Sequence, residues 1–239
     1  MMMDYCQYFY GISEADIKEV CLISPLRLGL SQSGDKDVVK SKSQGKLGMA
    51  YQCQGMTVIQ TFIGSIFVAD AVLSLRHSPV TSLFFVGSAG LSFPSKVLDL
   101  CSIVLPDQQL SLDSLSIVLG LESDPPISLT RPDPFLADQV RDRDKTQRQW
   151  IHSVKGASFA SLILEEDYLS FFKDHQIQVL DMECASFYAS ATHIGKKAVG
   201  LMFISDIVQE KPFYSVSSAL VEKKPEAVGY IFELIASFV

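Results

Sequence analysis

The chain has 239 residues, with 20 Lys+Arg against 27 Asp+Glu, a formal net charge of −7 and 48 % hydrophobic residues. That much apolar material builds a sizeable core and excludes global disorder. The acidic balance argues against a nucleic-acid partner, which would need a basic face, but leaves room for a small ligand in a local pocket. Length favours one α/β domain over 1–239. Cysteines at 6, 21, 53, 101 and 184 form no CxxC pair and show no zinc spacing with histidine. Scattered and odd in number, they are expected to be reduced thiols of a cytoplasmic protein. No metal or cofactor is called for. The first residues lack the basic and apolar regions of a signal peptide. The most membrane-like window, Val58 to Leu75, carries Gln60, Thr61, Ser65 and Asp70 and reads as a buried or amphipathic element, so no membrane partner is expected.

In chain order, residues 1–18 read as an N-terminal extension. Val20–Ser24 is a short strand stopped by Pro25, and 31–48, rich in Ser, Gly and Lys, a loop. Val58–Phe62 reads as a strand, followed by a helix from Gly64 to His77. Leu83–Val86 is a strand feeding a glycine turn, Gly87-Ser88-Ala89-Gly90. Leu100–Leu105 is a further strand. Residues 122–149 are polar and proline-bearing. Within them Arg141 to Lys145 alternates in sign, as a solvated helix face or a flap over a site. Ile151–Val154 is a strand ending before Gly156, Glu165–Lys173 a helix and Gln178–Leu180 a strand. Glu183–His193 is a helix stopped by Gly195, and Ala198–Ile204 a strand. Pro225 starts a last helix, Glu226–Phe238. Alternating strands and helices imply an α/β fold with a largely parallel sheet.

In open α/β sheets ligands sit beyond the carboxyl ends of the strands. That rule selects Pro25–Arg27, Ser88, the 156–160 turn, Met182-Glu183 and Ser205-Asp206. Two of these residues, Glu183 and Asp206, are carboxylates that each follow an apolar run. Partial burial there favours the neutral form, so one of them can act as an acid near neutral pH. The plainer reading of Glu183 is a helix N-terminal carboxylate held by the dipole. No GxGxxG, P-loop or GxSxG pattern is present.

Asp181-Met182-Glu183-Cys184-Ala185, followed by Ile204-Ser205-Asp206, resembles the signature of the nucleoside phosphorylase and nucleosidase superfamily. The 23-residue spacing of Glu183 and Asp206 is similar to that of the 5′-methylthioadenosine/S-adenosylhomocysteine nucleosidases. So are the glycine turn at 87–90 and the segment Val154-Lys155-Gly156-Ala157-Ser158-Phe159. The resemblance covers about residues 20–239, with 106–150 poorly matched. It implies a three-layer α/β/α domain, a homodimer, and cleavage of the N-glycosidic bond of a purine nucleoside. It assigns Asp206 as the acid at purine N7, oriented by Ser205, and Glu183 as the carboxylate on the ribose hydroxyls, with Met182 packed on the sugar. Phe159 would stack on the base or pack in the core, the Ala160 backbone would read the base edge, and Ser88 would lie near the nucleophile.

Two departures stand out. Those nucleosidases carry a Glu after the first strand, where this chain reads Ser24-Pro25-Leu26-Arg27-Leu28-Gly29, and an Arg where this chain has Met202. Pro25-Leu26-Arg27 is similar to the phosphate clamp of the phosphorylases, but their second Arg is replaced by Phe85. Futalosine hydrolases, of the same superfamily, bind a 5′ aryl carboxylate, a role open to Arg27, Arg131 or Arg143. Hydrolysis of a 5′-modified purine nucleoside is the favoured expectation. Phosphorolysis, or binding without turnover, is the alternative. His77, His152, His175 and His193 show no ligand spacing; Asp70 reads as a polar helix contact or a solvent-exposed residue, and Trp150 as a pocket-mouth residue or a strand anchor.

Overall fold

The structure, a computed structural model, describes residues 3–27, 39–119, 128–215 and 218–239. Helix α1 (Tyr5–Tyr10) is followed by strand β1 (Val20–Ser24), β2 (Val39–Gln44), β3 (Met49–Cys53) and β4 (Met56–Gln60). Helix α2 (Ser65–Ser74) leads to the long strands β5 (Ser82–Leu91) and β6 (Ile103–Leu112). Then come α3 (Leu115–Val118), β7 (Ser128–Thr130), α4 (Pro134–Gln147) and β8 (Ile151–Phe159). A 3₁₀ turn, Glu165–Tyr168, precedes α5 (Leu169–Asp174), β9 (Val179–Asp181), α6 (Cys184–His193), β10 (Lys197–Ile207) and α7 (Ser218–Ala236).

The ten strands form one mixed sheet in the order β10-β6-β8-β9-β5-β1-β4-β3-β2, with β7 on β6. Because β10 also pairs with β5, strands β5, β10, β6, β8 and β9 close on themselves, and β1, β4, β3 and β2 extend from that ring. Parallel pairs (β1–β4, β1–β5, β5–β10, β6–β8, β8–β9) are matched in number by antiparallel ones.

Alternation along the strands builds two cores. Cys21, Ile23, Leu83 and Phe85 face α2 and α6 on one side, with Val68, Val72 and Phe187. Leu22, Phe84 and Val86 face α4 and α7 on the other, with Leu136, Val140, Ile231 and Leu234. The result is three layers, α/β/α. A third cluster, around Phe159, Phe172 and Leu180, lies between β8, β9 and α5.

Several sequence expectations are corrected. The N-terminal segment, read only as an extension, packs on the rest of the fold. Asp4 caps α1 by accepting from the Gln7 N–H at 3.0 Å, and Cys6, Tyr10 and Ile17 are buried in the main core. Of the 31–48 stretch read as loop, 39–44 form a strand, 45–48 link it to β3, and 31–38 lie outside the described residues. The glycines at 87, 90 and 156 do not turn the chain; they lie inside β5 and β8, where neighbouring side chains approach the backbone. Pro225 lies inside α7, on its exposed side, and not at the start of the helix. The alternating 141–145 stretch is the outer face of α4. Its exception is Asp144, buried and accepting from the N–H groups of Trp150 and Ile151 and from the Tyr230 hydroxyl. Trp150 is an anchor: it meets the Tyr230 ring edge-on at 5.2 Å, with the Arg148 guanidinium 4.5 Å over its face. No described helix is long and apolar enough to cross a membrane.

Candidate active site

Strand β10 delivers Asp206 by an irregularity. It runs in register with β5 through Ile204 opposite Ala89, then skips, so that Asp206 faces Gly90. Ser205 is the extra residue of this β-bulge, and a bulge re-aims side chains that would otherwise alternate. Both Ser205 and Asp206 therefore line the same cavity. The Ser205 hydroxyl lies 2.6 Å from Asp206 Oδ1 and 3.3 Å from the Ala89 carbonyl oxygen. Asp206 is 7 % exposed. Burial raises its carboxyl above the usual range, and the Ser205 hydroxyl opposes that rise.

Glu183 comes from the start of α6. Asp181, at the end of β9, accepts from the N–H groups of Glu183 at 2.6 Å and Cys184 at 2.7 Å, from the Ser158 hydroxyl at 2.9 Å and from the Gln109 side-chain amide. This buried capping carboxylate fixes the turn in which Glu183 sits. Glu183 Oε1 accepts from the Gly64 N–H at 2.8 Å. Burial first, then the Asp181 charge, push the Glu183 carboxyl up to about 7, while the Gly64 and Met182 N–H groups pull it down. The Met182 carbonyl accepts from the Ser65 hydroxyl at 2.8 Å, a second tie between α2 and this turn.

These residues meet in one cavity of about 140 Å³, whose walls include Ser88, Met182, Glu183, Ser205, Asp206, Pro25 and Leu26. A second cavity of about 300 Å³ adjoins it, and both are lined by Leu162, Glu165, Asp206 and Phe213. Joined across Asp206, the two reach the size range of small-molecule pockets. No Lys, Arg or His is among the described residues lining either one. A larger hollow, about 890 Å³, lies elsewhere, walled by Lys96, Lys155 and Lys173, and holds none of the strand-end carboxylates. Chemistry, not size, marks the site. Among the described residues no His/Cys/Asp/Glu cluster could hold a metal ion.

The family model of the Phosphorylase superfamily matches residues 43–237, most of the chain. The chain belongs to the Phosphorylase superfamily. Its fold is shared by solved structures at low identity. A futalosine hydrolase mutant of Helicobacter pylori strain 26695 is 16 % identical, with a TM-score of 0.72 over 93 % of this chain and 100 % of that one. The 5′-methylthioadenosine/S-adenosyl homocysteine nucleosidase of Campylobacter jejuni is 13 % identical, with a TM-score of 0.73 over 92 % and 99 %. An AMP nucleosidase from Bacteroides thetaiotaomicron VPI-5482 is 14 % identical, with a TM-score of 0.72 over 96 % and 92 %. No curated protein matches.

Within this superfamily frame, the expected site residues do not all converge. Ser88, Met182 and Ser205 line the cavity with Glu183 and Asp206. Phe159 does not: its ring is 1 % exposed and packs edge-on against Tyr168 and Phe172, so it is a core residue here. The Ala160 N–H is committed to the Leu112 carbonyl at 2.9 Å, which leaves only its carbonyl for a ligand. Arg27 is exposed and absent from the described lining. Arg131 is exposed as well, and Arg143 lies 3.5 Å over the Phe238 ring, engaged with the C-terminal segment. The residue missed from sequence is Glu165. It stands in an acidic run, Glu165-Glu166-Asp167, whose composition gives no sign that its first member alone is buried.

Proposed function

We propose that this protein, as one domain, is a nucleosidase that hydrolyses the N-glycosidic bond of a 5′-modified purine nucleoside. One observation carries the reading: Asp206 and Glu183, from separate strand ends, line a single cavity with Ser88 and Met182. Glycosidic cleavage builds positive charge on the ribose and negative charge on the departing base. A carboxylic acid held partly neutral by burial suits the base, and Asp206 is such a group. Glu183, fixed at one oxygen by Gly64, offers the other to the ribose hydroxyls and favours the cationic sugar. Water adds at C1′ as the bond to the base breaks, and the base leaves with the proton from Asp206.

Hydrolysis is favoured over phosphorolysis by charge. A phosphate dianion needs cations, and the described lining has none. Phe85, where a second clamp arginine would stand, is buried in the core. The futalosine hydrolase and methylthioadenosine nucleosidase folds support the substrate class. A second copy of this chain would cover Phe62, Ile63 and Ile66, which are 55, 63 and 67 % exposed beside the cavity mouth, and sedimentation tests for that dimer.

The direct test is base release from methylthioadenosine and from futalosine, with and without phosphate. Free adenine or hypoxanthine without phosphate is expected. Release only with phosphate, with a ribose 1-phosphate as co-product, would make the protein a phosphorylase. Binding without turnover would make it a non-catalytic nucleoside binder.

A further inference from the structure

We propose that Glu165 and Asp206 act as one proton-sharing pair at the base end of the pocket, with Glu165 the reserve that resupplies Asp206. This rests on the nucleosidase reading above. Glu165 enters from the 3₁₀ turn after β8, 5 % exposed, and its carboxyl has no hydrogen-bond or ionic partner among the described residues. It lines both adjoining cavities, as Asp206 does. A buried, unpartnered carboxyl facing a ligand cavity has no structural bond to satisfy, and the neutral acid is the form that such burial tolerates.

The surroundings strengthen the pairing. The titratable residues that line one or both cavities with Glu165 are Asp206 from β10, Asp181 and Glu183 from the β9–α6 turn, Glu166 from its own turn, and Tyr214 beyond β10. All the charged ones are acids, so nothing in the described lining neutralises a second negative charge. Two carboxyls in one such cavity do not both ionise readily. Burial, then the charge of Asp206, push the Glu165 carboxyl up to about 8. The Ser205 hydroxyl favours ionised Asp206. The titrations of the two carboxyls then belong to the pair and not to either residue alone.

The proton balance follows. As the bond from C1′ to the base breaks, its electron pair goes to the purine, which takes the Asp206 proton. Asp206 recovers a proton from Glu165, directly or through one water. The attacking water leaves its oxygen and one hydrogen on C1′, and its second proton goes to solvent, from which Glu165 is refilled. Glu165 is a positioning residue here: it acts through Asp206.

The test is the pH profile of kcat/KM for methylthioadenosine, wild type against Glu165→Gln. The wild-type alkaline limb should lie where the pair loses its last proton. In Glu165→Gln, Asp206 stands alone, and the limb should move to lower pH by about one unit or more. An unmoved limb in a folded variant overturns the proposal, since a purely structural Glu165 alters stability and not the profile. If Glu165→Gln does not fold, infrared difference spectra of wild type and Asp206→Asn decide. Removing the Asp206 charge should lower the midpoint of a carboxylic-acid carbonyl band; an unchanged midpoint overturns the pairing. Absence of base release by wild type would instead remove the nucleosidase reading, while the infrared titration would still report on the pair.

Discussion

The backbone N–H of Gly64 donates to Glu183 Oε1 at 2.8 Å, joining residues 119 positions apart in sequence. Gly64 makes this contact at φ 120° and ψ 148°, a region open in practice to glycine alone. Its N–H therefore points at the carboxylate only while the backbone stays in that conformation. Gly64→Ala should cost about 1–3 kcal/mol of stability and release Glu183. If Glu183 grips the ribose, KM for a nucleoside rises and kcat falls together. Denaturant melts and steady-state kinetics of the variant check both effects. Wild-type kinetics in Gly64→Ala would show that Glu183 needs no such anchor.

Asp206 is held against another glycine. A Cβ placed on Gly90 would lie 2.6 Å from Asp206 Oδ2, too close for any real contact. Gly90→Ala forces the carboxyl aside without removing it, and a small displacement of a reacting group is costly. We expect a kcat loss of about tenfold or more, with the fold kept, read by base release beside a circular dichroism spectrum.

Asp181 organises the turn that carries Glu183. It accepts from two backbone N–H groups, the Ser158 hydroxyl and the Gln109 side-chain amide, all buried. Asp181→Ala leaves these donors unsatisfied, which costs about 1–3 kcal/mol each where water cannot enter. The thermal midpoint should fall by several degrees, and Asp181→Asn, which keeps one acceptor oxygen, should fall less. Equal melting of both variants and wild type would contradict the capping role.

The acidic pocket also sets a pH dependence of stability. Burial raises Glu165 to about 8, Glu183 to about 7 and Asp181 to about 6, from ordinary values of 4.5, 4.5 and 3.8. The folded state then binds more protons than the unfolded chain between those limits. The stabilisation from these groups is full below the ordinary carboxyl range and is lost as pH rises toward 8. Urea midpoints measured from pH 5 to 9 should fall more steeply for wild type than for Glu183→Gln. Parallel slopes would mean that Glu183 titrates normally in the folded protein.

The sequence made the two carboxylates legible because each lies just past an apolar strand, and strand ends are where an α/β sheet opens to ligands. The lengths of β5 and β8 were not legible. Glycine is read as a break, yet Gly90 and Gly156 lie in strands because Asp206 and Gln109 press on them, a contact between distant segments. The bulge at Ser205 left no mark either, since it is a mismatch of register with β5 and not a residue type. Phe159 carried two readings, base stacking or core, and only the placement of Tyr168 and Phe172 around its ring separates them. Glu165 escaped for the same reason: its burial is made by the cavity walls, not by its neighbours in sequence.

The central claim is that Asp206 gives the departing purine its proton while Glu183 holds the sugar. Asp206→Asn tests it most directly, because the amide keeps the shape of the side chain and cannot serve as the acid. Single-turnover base release from methylthioadenosine should slow by about 10²-fold or more, with the equilibrium dissociation constant of the nucleoside changed only a few fold. Turnover at the wild-type rate in Asp206→Asn would contradict the acid role of Asp206.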